Sequence, residues 1–169
     1  MRAPSPELDL TALLRTLAQQ KVKFLIIGGI AGALHGSTTM TSDLDILYAR
    51  DRENVRRLAT ALAELDAHRR DLPAEVVAPI DARAILNGLN ILLATRYGDL
   101  DCIGETPSGR FTYEQLAPTA ERYEIAADLQ VSVVSLEELI RMKRATGRAQ
   151  DRAEVERLTA LRDELRDDQ

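Results

Sequence analysis

Only one cysteine, Cys102, occurs in the 169 residues. An internal disulfide is therefore excluded, and a metal–thiolate cluster is implausible. Tryptophan is absent, and two Phe and four Tyr are the only other aromatics. That is too few for the stacking platforms that hold single-stranded nucleic acids. No apolar run approaches the roughly 20 residues that span a bilayer. The opening MRAPSPELDL carries no apolar signal core, so residence in the cytoplasm, with no membrane partner, is the expectation. Positive charge is also short: 22 Lys and Arg face 27 Asp and Glu, for a net charge of −5. This argues against broad, non-specific nucleic-acid binding and leaves room for a local basic patch. Three phosphate or metal signatures are missing as well: the G-x-G-x-x-G turn, the P-loop and the D-x-D-x-D-G calcium loop.

What is present is an ordinary globular mixture, 45% hydrophobic and 29% charged, in a length that suits one domain over residues 1–169. Leu10, Leu13, Leu14 and Leu17 predict a helix over 6–20. KVKFLIIGG (21–29) predicts a buried strand ending in paired glycines, followed by a short helix closed at Gly36. His35 reads as a helix-end residue rather than a ligand. SDLDILYA (42–49) is a second strand, and Val55, Leu58, Leu62 and Leu65 line a helix over 52–67. Residues 70–80 hold two prolines and read as a connecting loop. Asp81 caps a short helix ending near 87–88, and residues 89–105 read as two strands joined at Tyr97–Gly98. RYEIA and VSVVS are further strands. Ser135 and Glu138 form a capping box that opens a helix through Thr146. Gly147 interrupts it, and Asp151 caps a last helix whose apolar side is Val155, Leu158, Leu161 and Leu165. This order implies an α/β fold, a central mixed sheet flanked by helices with a helical C-terminal segment.

Asp43 and Asp45 alternate with Leu44 and Ile46, so both carboxylates point to one face of a strand. Like charges in that arrangement repel unless water or a cation compensates. Asp99 and Asp101 repeat the pattern in GDLDCIG, with Cys102 facing the core. Gly28–Gly29 lies at a strand end before a helix, where backbone N–H groups and the missing side chains admit a phosphate. Carboxylates converging from adjacent strands form a hard, oxygen-rich pocket suited to Mg²⁺, or Mn²⁺, bridging to phosphates.

Ile27-Gly28-Gly29, thirteen residues, then Asp43-Leu44-Asp45-Ile46 resembles the signature of the DNA polymerase beta superfamily of nucleotidyltransferases. The chain is closest in pattern to a minimal bacterial branch that includes the nucleotidyltransferase toxins of abortive-infection-type (type IV) toxin–antitoxin systems. The matching residues are Gly36, Thr41, Asp43 and Asp45; Gly98, Leu100, Asp101, Cys102 and Ile103; and Lys143, Arg148 and Asp151. The likeness runs over about 22–162. The resemblance implies a catalytic core over 22–127, C-terminal helices over 135–166, and transfer of a nucleoside monophosphate from an NTP to an acceptor hydroxyl. It implies that Asp43, Asp45 and Asp101 bind metal and carry catalysis, with Asp99 a competitor for the third role. Gly28 and Gly29 would cradle phosphates, and Lys143 would sit on the triphosphate. Thr41 would offer its hydroxyl to a phosphate or to a local turn bond. Arg141, Arg144, Arg148 and Arg152 recur at three or four residues around Lys143 and read equally as a basic stripe or, with Glu137, Glu138 and Asp151 nearby, as a solvated, paired helix face. A tRNA or protein acceptor and a cognate antitoxin are the implied partners. Thr39 stands where the branch carries arginine, which keeps a second reading open: a non-catalytic nucleotide- or partner-binding module.

Overall fold

The computed structural model describes residues 5–73, 75–106 and 111–168. Helix α1 (Leu10–Gln19) starts later than the leucine spacing predicts, because the Asp9 carboxylate accepts from Ala12 N and fixes the first turn there. Strand β1 (Phe24–Ile27) runs directly into α2 (Gly28–Leu34). The paired glycines are thus the first turn of the helix, not the end of the strand. Gly28 takes φ +67, a left-handed conformation that an L side chain rarely adopts. Strand β2 (Asp43–Tyr48) leads to α3 (Arg52–Glu64), capped by Asp51. Asn54, fully buried on α3, donates to Lys23 O and Ala49 O and accepts from Lys23 N. It thereby ties the start of β1 to the end of β2, and its polar atoms are satisfied.

The next segment departs from the sequence expectation. A two-residue strand, β3 (His68–Arg69), pairs antiparallel with β4 (Asn90–Thr95). Between them α4 (Ala82–Gly88) is capped by Asp81, as the sequence predicts. Strand β5 (Gly98–Ile103) pairs antiparallel with β4, with Thr95 opposite Gly98. The hairpin turn is therefore Arg96–Tyr97, one residue earlier than expected. Gly98 belongs to the ladder, at φ +110, and an added Cβ there would meet the Leu8 backbone at 2.8 Å.

Helix α5 (Tyr113–Leu116) and a 3₁₀ turn (Ala117–Thr119) precede the hairpin of β6 (Glu121–Ala126) and β7 (Leu129–Val133). Helix α6 (Leu136–Thr146) is capped by Ser135, which accepts from Glu138 N at 3.3 Å, and ends at Gly147 in a left-handed turn. Only half of the expected capping box forms, since the Glu138 carboxylate turns outward to Arg141 at 2.8 Å. Helix α7 (Ala149–Asp167) begins with Arg148 at the cap position. Asp151 therefore does not cap; it lies inside the first turn, and its carboxylate accepts from Thr146 Oγ1 at 2.5 Å.

The seven strands among the described residues form one mixed sheet in the order β3-β4-β5-β2-β1-β7-β6. Parallel pairing of β2 with β5 sets Asp43 beside Asp99 and Asp45 beside Asp101. On the alternate positions Leu44, Ile46, Leu100 and Cys102 are fully buried. The core thus lies under one face of these strands, and the aspartates occupy the other. Helix α6 stands on the aspartate side, because Leu139, Met142 and Lys143 line the same cavity as Asp45 and Asp101. No helix among the described residues is long and apolar enough to cross a membrane.

Candidate functional site

Asp43, Asp45 and Asp101 each offer a carboxylate oxygen within 4.8 Å of the other two, at intermediate burial. Strand alternation and the parallel β2–β5 register bring them together, as the sequence pattern predicts. Burial first, then the charges of Asp43 and Asp101, push the Asp45 carboxyl up to about 7. Burial also raises Asp101, against the opposing pull of Arg70. The cluster therefore holds more negative charge than its own surroundings neutralise. Three hard oxygen donors with a deficit of positive charge match what a divalent cation of the Mg²⁺ kind requires.

The cluster opens into a cavity of about 540 Å³. Gly28 and Gly29 line it, and Gly28 has no room for a side chain because an added Cβ would overlap Asp45 Oδ2. An added Cβ on Gly29 would stand 2.7 Å from Thr41 Cβ. The glycines thus let the α2 backbone close onto the acidic strand. Lys143, on α6, also lines the cavity, 3.9 Å from Asp151 Oδ1, and its charge acts on Asp45. Ile27, Leu92, Ile103, Leu139 and Met142 supply an apolar wall. Thr41 takes the local-bond alternative: its hydroxyl lies 3.3 Å from Asp43 O and 3.0 Å from Asp43 Oδ1, so it orients a carboxylate of the cluster.

A crystal structure from Thermotoga maritima, provisionally named a nucleotidyltransferase, superimposes on 94% of this chain and 91% of its own, with TM-score 0.55 and 17% sequence identity. The chain has the nucleotidyltransferase fold. No protein-family model matches it, and no curated protein does.

Within this nucleotidyltransferase fold, two polar residues that sequence reasoning passed over are central. Arg70, assigned to a loop, donates to Asp101 and stands 4.0 Å from Asp43 Oδ2 and 3.8 Å from Asp99 Oδ2. Asp99 is thus held by Arg70 outside the triad, and its Oδ1 is buried with no hydrogen-bond partner among the described residues. Glu154 on α7 is 6% exposed. It accepts from Thr39 Oγ1, from Ser37 Oγ at 3.0 Å and from Arg157 at 3.1 Å. These bonds hold it ionised, below the usual glutamate range, against the penalty of burial. Thr39 is accordingly an anchor for the segment before β2.

The arginines follow the paired-face alternative in part. Arg141 pairs with Glu138 and stands 5.9 Å from the Phe111 ring centre, and Arg144 bonds Thr159 on α7. Arg148 begins α7 and lines the cavity, while Arg152 lies beyond the Gly147 turn. His35 is structural: Nε2 lies 2.7 Å from Val134 O, and Nδ1 lies 2.9 Å from the Tyr123 hydroxyl.

Proposed function

We propose that this protein is a divalent-metal-dependent nucleotidyltransferase, moving a nucleoside monophosphate from an NTP to an acceptor hydroxyl with release of pyrophosphate. The observation that supports this most directly is the convergence of Asp43, Asp45 and Asp101, of which Asp45 and Asp101 line one cavity together with Gly28 and Gly29. These three residues would hold Mg²⁺ or Mn²⁺. When bound, the ion neutralises charge on the phosphates and on the entering and leaving oxygens.

The protein's own groups account for the rest. Gly28 and Gly29 line the cavity, so the β- and γ-phosphates would meet the backbone of the first turn of α2 from the cavity side, the glycines' side-chain directions being taken up by Asp45 and Thr41. Lys143 supplies a point charge for the triphosphate from the opposite wall. The apolar wall of Ile27, Leu139 and Met142 receives the base and keeps water from the reacting phosphate. Thr41 holds Asp43 in place. Asp101, on the neighbouring strand, accepts the proton of the acceptor hydroxyl as the new P–O bond forms at the α-phosphorus and the bond to pyrophosphate breaks.

A tRNA end or a protein side chain is the proposed acceptor, and a toxin role with a cognate antitoxin is the proposed setting. Both rest on the motif resemblance from Gly36 to Asp151. The test is to mix the purified protein with labelled NTPs, Mg²⁺ and total tRNA or cell lysate, beside Asp43→Ala. Label transfer by wild type alone supports the proposal. Nucleotide binding without transfer to any acceptor pool would favour the binding-module reading instead.

A further inference from the structure

Arg70 directly follows β3, and its backbone N donates to Leu92 O at 3.0 Å. Leu92 pairs with Asp101 across β4–β5, and Asp101 pairs with Asp45 across β5–β2. Arg70, Leu92, Asp101 and Asp45 therefore form one row across the sheet. At about 4.8 Å per strand, Asp101 lies roughly 10 Å from Arg70 along that row, within reach of an extended arginine. The guanidinium crosses over Leu92 and enters the acidic cluster, where it meets Asp43, Asp99 and Asp101 together.

The fit is incomplete. Among the described residues only Asp101 receives a hydrogen bond, and Arg70 Nε is buried with no hydrogen-bond partner, its nearest carboxylate oxygen, Asp99 Oδ2, standing 3.8 Å away. A guanidinium cannot shed its charge, so it cannot share three carboxylates with a dication a few ångströms away without strong repulsion. Building on the metal reading above, we propose that Arg70 is the resident counter-cation of the carboxylate cluster, and that a divalent metal binds by displacing it from Asp101 and Asp43. Arg70 thereby sets the metal affinity of the site and keeps the empty cluster from flying apart electrostatically. Its position at the end of a two-residue edge strand suits this, because little paired backbone holds the side chain's base in place.

The experiment is Mn²⁺ binding, followed by electron paramagnetic resonance and calorimetry, to wild type and Arg70→Gln. Glutamine keeps a polar side chain and removes the charge. The variant is expected to bind Mn²⁺ at least about tenfold more tightly, about 1.4 kcal/mol. Equal or weaker binding by the variant, with wild type binding normally, overturns the Arg70 proposal and leaves the metal site standing. No binding by either protein overturns both. A second measurement needs only wild type: Mg²⁺ should speed water exchange of the Arg70 Nε–H, read by nuclear magnetic resonance, because displacement exposes a buried group. An unchanged exchange rate overturns the displacement.

Discussion

Gly28 and Asp45 occupy one space, and their chemistry cannot be separated. Gly28→Ala would place a Cβ on Asp45 Oδ2 and force an L side chain into φ +67. We expect destabilisation of about 1–3 kcal/mol, in a urea melt with chelator present, and weakened Mn²⁺ binding from the displaced carboxylate. Asp45 carries the clearest pH signature. Its folded pKa is about 7, above the ordinary 3.8, so the metal-free native state holds a proton that the unfolded chain has released across that window. Stability therefore falls as pH rises from about 4 to 7. Asp45→Asn removes the titration, so in chelator its stability relative to wild type should rise over that range. The upper bound is about 4 kcal/mol, reduced by solvent reaching Asp45 through the cavity. A flat difference between the two proteins would refute the assignment. The aspartates were legible because a period of two fixes their face and two strands repeat it. Arg70 was not, because its partners lie on two distant strands, β2 and β5, and nothing local in RDLPAE marks them. Glu154 was hidden for the same kind of reason: on a charged helix it looks solvated, and only the packing of α7 buries it.

Helix α7 is the element that closes the site from behind, through Glu154. Its carboxylate collects Ser37, Thr39 and Arg157, and so ties the C-terminal helix to the chain that delivers Thr41 and Asp43 to β2. Glu154→Ala takes the shared acceptor away from Ser37, Thr39 and Arg157, of which Thr39 and Arg157 are exposed to water. The expected loss is about 1–3 kcal/mol by denaturant unfolding, with faster protease cleavage within 37–42. An Ala variant as stable as wild type would mean the three bonds do no more than replace water. Element starts were readable at the capping residues Asp81 and Ser135, each accepting from an N–H three residues on; Asp9 caps α1 in the same way, yet the leucine spacing placed that start at residue 6. They failed where the deciding bond is tertiary. Asp151 has the composition of a cap, but Thr146 and Lys143 draw its carboxylate away from the backbone. Strand β3 is two residues long, too short for any alternation to announce it, and exists only because β4 offers an edge.

At the scale of the molecule, the acidic cluster joins strands more than 50 residues apart in sequence, β2 and β5, at the centre of the sheet. A ligand there binds the folded chain and has no counterpart in the unfolded one, so it must raise the melting temperature by mass action. The size of that rise should itself depend on pH. Near pH 5 Asp45 is largely protonated in the folded protein, and Mg²⁺ must expel the proton before it can bind; near pH 8 it need not. The Mg²⁺-induced rise in melting temperature should therefore be several-fold smaller at pH 5 than at pH 8 at one sub-saturating concentration. It should vanish at both in Asp43→Asn. The net charge of −5 adds a diffuse attraction that any divalent ion feels, so Ca²⁺ and spermidine serve as controls. A rise produced equally by spermidine, or by Mg²⁺ on the Asp43 variant, would assign the effect to the surface as a whole and remove the central sheet from the explanation.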